Sequence, residues 1–425
     1  MSRKEKIVIL GGGFAGLNVL KNIDRKRFEV HLVDRNNYHG FPPLFYQVAS
    51  SGLEPSDIAF PFRRRLGKEG HAGARFHLGN VTAVDPQSKT VTTDSETISY
   101  DRLVIALGTT NNFFATPELI DRVYTLKSID EAIRLRNEVI SRCEKAALEK
   151  DEETRRKLLT FVVIGGGPAG VEVAGALGEL KRYILKREYP EIAPDEMTIH
   201  LVEGSGRLLA AMSEKSSRDA LEGLEKLLVD VTTGRVMKSY DGERAVLDDG
   251  SEINSTLVVW TAGVKAQPIE ITGTDAGTLF GKGGRIITDD HCRVAGMDCV
   301  YAIGDMGIFT DGKYPRGLPQ LAQVAIQQGR YISRLINGTG KGPFRYDDKG
   351  SMATIGRNKA VADIGKFHFS GWTGWMAWMF VHLVSLMGMR SKLSVLMNWT
   401  WSYFTYNTSL RILLHGSKYP LRRHD

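Results

Sequence analysis

The feature that most constrains this chain is a duplication. KIVILGGGFAGLNVL, residues 6–20, and TFVVIGGGPAGVEVA, residues 160–174, superimpose without a gap. Each is a short apolar, β-branched run, a G-x-G-x-x-G loop and the small-residue start of a helix. Their first glycines, Gly11 and Gly165, are 154 residues apart, and LVIALG from Leu103 and LVVWTAG from Leu257 repeat the same spacing. Two segments with one offset predict two copies of a βαβ-based nucleotide-binding unit, each closed by a further strand.

The chemistry of such loops follows from their geometry. Gly11 and Gly165 permit the tight strand-to-helix turn, Gly13 and Gly167 let backbone approach a pyrophosphate, and Gly16 and Gly170 let helix and strand pack closely. Phe14 and Ala15 complete the first loop, and the helix N-terminus behind each loop faces the phosphates. A ribose-binding acid should end the second strand of each copy. Asp34 in EVHLVDR and Glu203 in TIHLVEG fill that place. Asp34 follows Gly16 by 18 residues and Glu203 follows Gly170 by 33, so the second copy carries an insertion around KRYILKREYPEIAPDE.

Two sites imply two dinucleotides, and a flavin with a nicotinamide is the natural pair. VYAIGDM, residues 300–306, resembles the second FAD motif of two-dinucleotide flavoproteins, in which the aspartate, here Asp305, holds the ribityl chain. That motif lies after the second copy. FAD is therefore assigned to the first loop and NADH to the second, the NADH domain being inserted in a discontinuous FAD domain. The expected boundaries are 1–118 and 271–350 for the FAD domain, 119–270 for the NADH domain and 351–425 for a C-terminal membrane-anchoring region. The fold class is α/β, two Rossmann-like domains with a helical tail.

The stretch where disulfide reductases of this architecture carry C-x-x-x-x-C reads YHGFPPLFYQVASSG, residues 38–52, without cysteine. That class is excluded. The three cysteines, Cys143, Cys292 and Cys299, suit neither a disulfide framework nor a zinc site and favour a reducing compartment. No histidine cluster has metal-ligand spacing, so no metal is expected.

The combined pattern resembles the type II NADH dehydrogenases, single-subunit NADH:quinone oxidoreductases that pump no protons. The likeness rests on GGGFAG, the 38–52 stretch, GGGPAGVEVAGAL, VVWTAGV, YAIGD and LPQLAQVAIQQG, residues 318–329, which carries the family's A-Q-x-A-x-Q signature at Ala322, Gln323, Ala325 and Gln327. The resemblance implies that Asp34, Arg35, Pro43, Leu44, Val81, Gly108, Asp305, Ala322, Gln323 and Lys366 join the first loop in lining FAD. It implies that Glu203, Ala262 and Gly263 join Gly165, Gly167 and Gly170 in lining NADH, and that Gln323 and Gln327 line the quinone site. Sulfide:quinone oxidoreductases also need a cysteine pair near the flavin, for which Cys292 and Cys299 are poorly placed. A membrane-bound FAD/NADH sensor or assembly factor without turnover is the alternative from outside enzymology.

Glu172 sits in an otherwise apolar first helical turn, flanked by Val171, Val173 and Ala174. One reading is favourable charge at a helix N-terminus. The other places it, as the family resemblance implies, at the junction of the two cofactors, desolvated, with a raised pKa suited to supplying protons for quinone reduction.

From Phe367 to Met389 there is no Asp, Glu, Lys or Arg, and a second apolar-aromatic stretch runs from Leu393 to Leu414. Trp372, Trp375, Trp378, Trp399 and Trp401 lie here, a density that suits a membrane interface, and helical spacing puts Trp372, Trp375, Met376 and Met379 on one face. Arg390, Lys392, Lys418, Arg422 and Arg423 add cations. The reading is monotopic attachment to the cytoplasmic face of the inner or cell membrane, with a homodimer interface and a spanning helix as alternatives. The net charge of +7 then belongs to an anionic lipid surface, and no groove-reading motif points to nucleic acid.

Overall fold

The computed structural model describes residues 3–67, 74–114, 116–310, 312–405 and 410–413. The chain forms two compact units. The first is built from Met1–Gly40, Ala59–Asn112 and Val264–Lys349, the second from Phe41–Ile58, Phe113–Gly263 and Gly350–Asp425.

The first unit is centred on a parallel sheet in the order Val300–Ala302, Arg102–Ile105, Glu5–Leu10, Phe28–Asp34, Ala74–Leu78. Ile7 to Leu10 are wholly buried. A strand covered on both faces has no polar side to show, which is why the sequence is an unbroken apolar run. Helices Phe14–Asn22 and Ala322–Ile336 meet backbone to backbone, since a Cβ on Gly329 would come within 2.4 Å of the Ala15 carbonyl oxygen. A smaller sheet, Glu270–Ile271, Val81–Asp85, Thr90–Thr93 and Thr97–Ser99, shares one apolar core with the main sheet through Val84, Val91 and Leu103.

The second unit repeats the plan with the parallel order Asp230–Thr233, Thr198–Glu203, Thr160–Ile164, Leu257–Trp260. Its loop helix, Pro168–Glu179, runs on through a π-helical stretch, Leu180–Leu185, and this extension accounts for the long spacing to Glu203. One detail of the duplication needs correcting. Ile9 pairs with Val104 and its equivalent Val163 pairs with Val259, so the closing strands are related by 155 residues, not 154. The second copy holds one more residue before that strand.

The chain passes between units at Asn112/Phe113 and Gly263/Val264, a few residues before the boundaries read from sequence. Residues 41–58 group with the second unit although they fall early in the first stretch, and the described residues after Gly350 group with it too. Side-chain hydrogen bonds explain both. Asp57 accepts from Ser394 Oγ (2.6 Å) and Asn398 Nδ2 (3.0 Å), and Trp399 Nε1 donates to Gln47 Oε1 (2.8 Å). The uncharged run from Phe367 is divided into strand Phe367–Ser370, closing a three-stranded sheet with Ser351–Thr354 and Ala360–Ile364, and helix Gly371–Ser385; a second helix, Met389–Thr405, follows. No helix among the described residues is long and apolar enough to cross a membrane. Leu414, Lys418, Arg422 and Arg423 lie outside the described residues.

Candidate active site

The two glycine loops are alike down to their hydrogen bonds. Gly11 and Gly165 both have left-handed backbone, φ +94° and +110°. A Cβ on Gly16 or Gly170 would fall 1.9 or 1.7 Å from the carbonyl oxygen of Gly11 or Gly165, so neither position admits a side chain. Gly13 and Gly167 differ: a Cβ there meets nothing within 4 Å. Folding does not require glycine at these two positions, and an approaching pyrophosphate does. The residues present therefore fit a dinucleotide at each loop.

The acids are fixed in the same way. Asp34 accepts from Gly12 N (2.6 Å) and Asn36 N (2.7 Å), and Glu203 accepts from Gly166 N and from Ser205 N (2.6 Å). Burial raises the Asp34 pKa, and the two N–H donors pull it back. His39, which the sequence reading passed over, holds the first loop from behind. Its Nδ1 lies 2.9 Å from the Gly12 carbonyl, and burial lowers its pKa to about 4, keeping the ring neutral.

Several other FAD candidates gather in the first unit. Gly304 (φ +63°) would place a Cβ 3.2 Å from that of Ala15, and its N–H donates to the buried Gln328 Oε1 at 2.7 Å. The half-buried Asp305 follows and favours the charged form of the buried Arg285. Val81 begins a strand of the smaller sheet, Gly108 has φ +74°, Arg35 is exposed, and Ala322 opens its helix. Pro43, Leu44 and Lys366 belong to the second unit, Lys366 exposed in the turn between Ile364 and Phe367.

In the second unit the nicotinamide candidates converge: a Cβ on Gly165 would lie 2.8 Å from Ala262 N, and Gly263 has φ +111°. Arg207 is not available to a 2′-phosphate. Its guanidinium donates to Met212 O (3.0 Å), Ala210 O (2.8 Å) and Ser217 Oγ (2.6 Å), bracing its own loop.

Glu172 is buried on the Pro168–Glu179 helix, and desolvation raises its pKa to about 8, only partly offset by the Thr354 N–H it accepts. Seven residues on, Glu179 accepts from Arg357 N, so one stripe of this helix clasps the segment 354–357. A polar chain leads away from Thr354. Its Oγ1 is 2.9 Å from Tyr46 Oη, Gln47 Nε2 donates to Tyr46 Oη at 2.9 Å, and Trp399 Nε1 donates to Gln47 Oε1. Tyr46, Gln47 and Thr354 were not singled out from the sequence, and Trp399 was read there as a membrane-interface tryptophan. Of the first three, Tyr46 and Gln47 carried a signal there, as part of the 38–52 stretch.

Burial of Glu172 has a consequence for stability. The native state keeps a proton that the unfolded chain releases between the ordinary value of 4.5 and about 8. The associated stabilisation is complete below that window and is lost as pH rises through it, by up to ~1.4 kcal/mol per pH unit. Denaturant unfolding across this range should show wild type losing stability relative to Glu172→Gln; parallel curves would contradict the burial argument.

Comparison with known proteins agrees with this geometry. Residues 5–329 match the pyridine nucleotide-disulphide oxidoreductase family, and residues 349–405 match the NDH2 C-terminal domain. The chain is 36% identical over 419 residues to the type II NADH:quinone oxidoreductase NdhA of Mycobacterium tuberculosis, covering 94% of this chain and 87% of that one. The chain belongs to the type II NADH:quinone oxidoreductases. It is also 32% identical to the mitochondrial internal alternative NAD(P)H-ubiquinone oxidoreductase A1 of Solanum tuberosum, over 93% of this chain and 86% of that one. The solved structure of NDH2 from Plasmodium falciparum in complex with NADH shares the fold, with TM-score 0.89 at 22% identity, covering 97% of this chain and all of that one. A sulfide:quinone oxidoreductase of Aquifex aeolicus shares the fold less closely, TM-score 0.71 at 16% identity, covering 92% of each chain.

Within this type II enzyme the signature glutamines are already engaged. Gln323 Oε1 accepts from Lys349 N (2.8 Å), while Gln327 donates to Asp347 O (2.7 Å) and accepts from Asp347 N (3.0 Å). The tail presents a continuous apolar face: Trp372, Met376, Phe380 and Val384 on one helix, Leu393, Met397, Trp401 and Phe404 on the next, all exposed. Trp375, placed on that face by the sequence pattern, instead stacks on Tyr403 at 5.7 Å, and Met379 is half-buried.

Proposed function

We propose that this type II NADH:quinone oxidoreductase carries FAD on the loop Gly11–Gly16, takes NADH on the loop Gly165–Gly170, and delivers the electrons to a membrane quinone while attached monotopically to the cytoplasmic face. The observation that carries the two-dinucleotide reading is the pair Gly13 and Gly167, glycines that packing does not need at the two places where a pyrophosphate does. FAD, when bound, supplies the step between a two-electron donor and the quinone.

The residues have distinct tasks in this reading. Asp34 and Glu203 hold ribose hydroxyls, each already oriented by two backbone N–H groups. Glu203 also repels a 2′-phosphate, and Arg207 is too committed to compensate. We therefore expect kcat/KM for NADH to exceed that for NADPH by on the order of 100-fold, ~3 kcal/mol of discrimination. Equal values for the two cofactors would contradict the assignment.

Glu172, with a pKa near 8, is mostly protonated at neutral pH and serves as the proton donor to reduced quinone. The exposed aromatic and methionine face of the tail supports seating on lipid, with Arg390 exposed and Lys392 half-buried alongside it. The free cysteines suit a reducing compartment. Detergent-solubilised protein should show a bound flavin spectrum and reduce a short-chain quinone with NADH. A flavin-containing preparation that binds NADH without quinone turnover would favour a sensor or assembly factor.

A further inference from the structure

A trough of about 640 Å³ opens on the first unit, away from any residue assigned above except Gln327. One wall is the stripe Gln327, Arg330, Tyr331 and Arg334 of the Ala322–Ile336 helix, at successive one-turn positions. The other is the segment 341–349. That segment is pinned at both ends: Tyr331 Oη donates to Gly342 O (2.8 Å), and Gln327 pairs with both backbone groups of Asp347. Between the pins, Phe344 N donates to Asp290 O (2.7 Å) and the Phe344 ring packs edge-on against Tyr331 at 5.5 Å. The walls are thus held before any ligand arrives, through Asp347, Gly342, Phe344 and the Lys349 N–H that Gln323 accepts.

The charge lining this trough is one-sided. Arg330, Arg334, Lys341, Arg345 and Lys349 face a single carboxylate, Asp347, which is paired with Lys349. Among the described residues the Arg330 guanidinium donates to Asn18 Oδ1, at 3.4 Å. Arg334, Lys341 and Arg345 have no carboxylate partner among the described residues. Gathering like charges on pre-fixed walls costs Coulomb energy that a multiply charged anion reverses, and guanidinium groups match phosphate oxygens in planar pairs. An ordinary apolar ligand pocket has the opposite composition.

We infer that this trough is a binding site for a phosphate-bearing anion. Anionic lipid headgroups and soluble polyphosphates share that chemistry. Gln327 borders both this trough and the quinone candidates, whereas Arg334, Lys341 and Arg345 have no role in the reaction as proposed.

The test uses the full-length flavin-loaded enzyme and the variant Arg334→Ala/Lys341→Ala/Arg345→Ala, with the corresponding double variant Arg334→Lys/Arg345→Lys as a charge-keeping control. Pyrophosphate binding is followed by calorimetry. Vesicle binding is followed by flotation with phosphatidylcholine alone and with an equal mixture of phosphatidylcholine and phosphatidylglycerol. At about fivefold per basic residue near an anionic surface, the triple variant should bind its ligand roughly 100-fold more weakly, with NADH-driven reduction of a short-chain quinone unchanged. Loss confined to pyrophosphate identifies a soluble phosphate ligand; loss confined to the phosphatidylglycerol vesicles identifies a headgroup. If the triple variant matches wild type in both arms, the trough is a solvated basic face and the inference fails.

Discussion

Replacing Glu172 by glutamine should slow quinone reduction by about 100-fold or more while leaving flavin content and the rate of flavin reduction by NADH near wild type. A positioned acid typically contributes 10²–10⁴ in rate, and quinone reduction consumes two protons whereas hydride transfer depends mainly on orientation. Glutamine keeps the shape and the acceptor for the Thr354 N–H but has no proton to give. The pH profile adds a second signature. With its pKa near 8, Glu172 is charged only in alkaline solution, so wild-type quinone turnover should fall as pH rises through that value and the variant should lack this limb. Stopped-flow measurement of each half-reaction separates the outcomes. Wild-type quinone turnover with an unchanged profile would return Glu172 to a role in helix electrostatics.

The second large effect concerns attachment. Phe380 and Trp401 are 69% and 62% exposed on the two tail helices. Each side chain contributes ~2 kcal/mol when taken out of water, so Phe380→Glu/Trp401→Glu should weaken binding to vesicles by 100-fold or more. NADH:ferricyanide activity should be kept and reduction of long-tailed quinone lost. Deleting the helices is a poorer test. Trp378, Val395 and Trp399 on their inner faces are buried, and Trp399 holds Gln47, so truncation opens the core of the second unit as well as removing its lipid contact. A double variant that still floats with vesicles as wild type does would show that the exposed face is not the anchor.

What was legible in the sequence is local and repetitive. The loops, their acids and the strands before them were readable because each depends on residues within one βαβ stretch, where glycine, apolar run and carboxylate have few substitutes. The 155-residue relation of the closing strands was missed because apolar runs look alike when slid by one position. Longer-range partners left no trace. Nothing in the sequence tells that Thr354 Oγ1 meets Tyr46 Oη, or that Asp57 holds Ser394 and Asn398, since these pairs are separated by some 300 residues. Helical spacing put Trp375 on the apolar face, yet its ring is drawn to Tyr403 of the next helix, a neighbour that periodicity does not see. Arg207, four residues past Glu203, is near enough in sequence to meet a 2′-phosphate, but its three acceptors, which spacing does not reveal, engage it elsewhere.

The central claim is that two loops of one design hold two different dinucleotides, and a pair of single substitutions tests it most directly. Because a Cβ at Gly13 or Gly167 meets no protein atom within 4 Å, alanine at either position should leave the fold intact and obstruct only the ligand. Flavin content and NADH affinity are measured on both variants. The account predicts that Gly13→Ala is purified with little or no FAD, and that Gly167→Ala retains its FAD but binds NADH at least tenfold more weakly, ~1.4 kcal/mol. Loss of flavin from Gly167→Ala with full flavin in Gly13→Ala would contradict it.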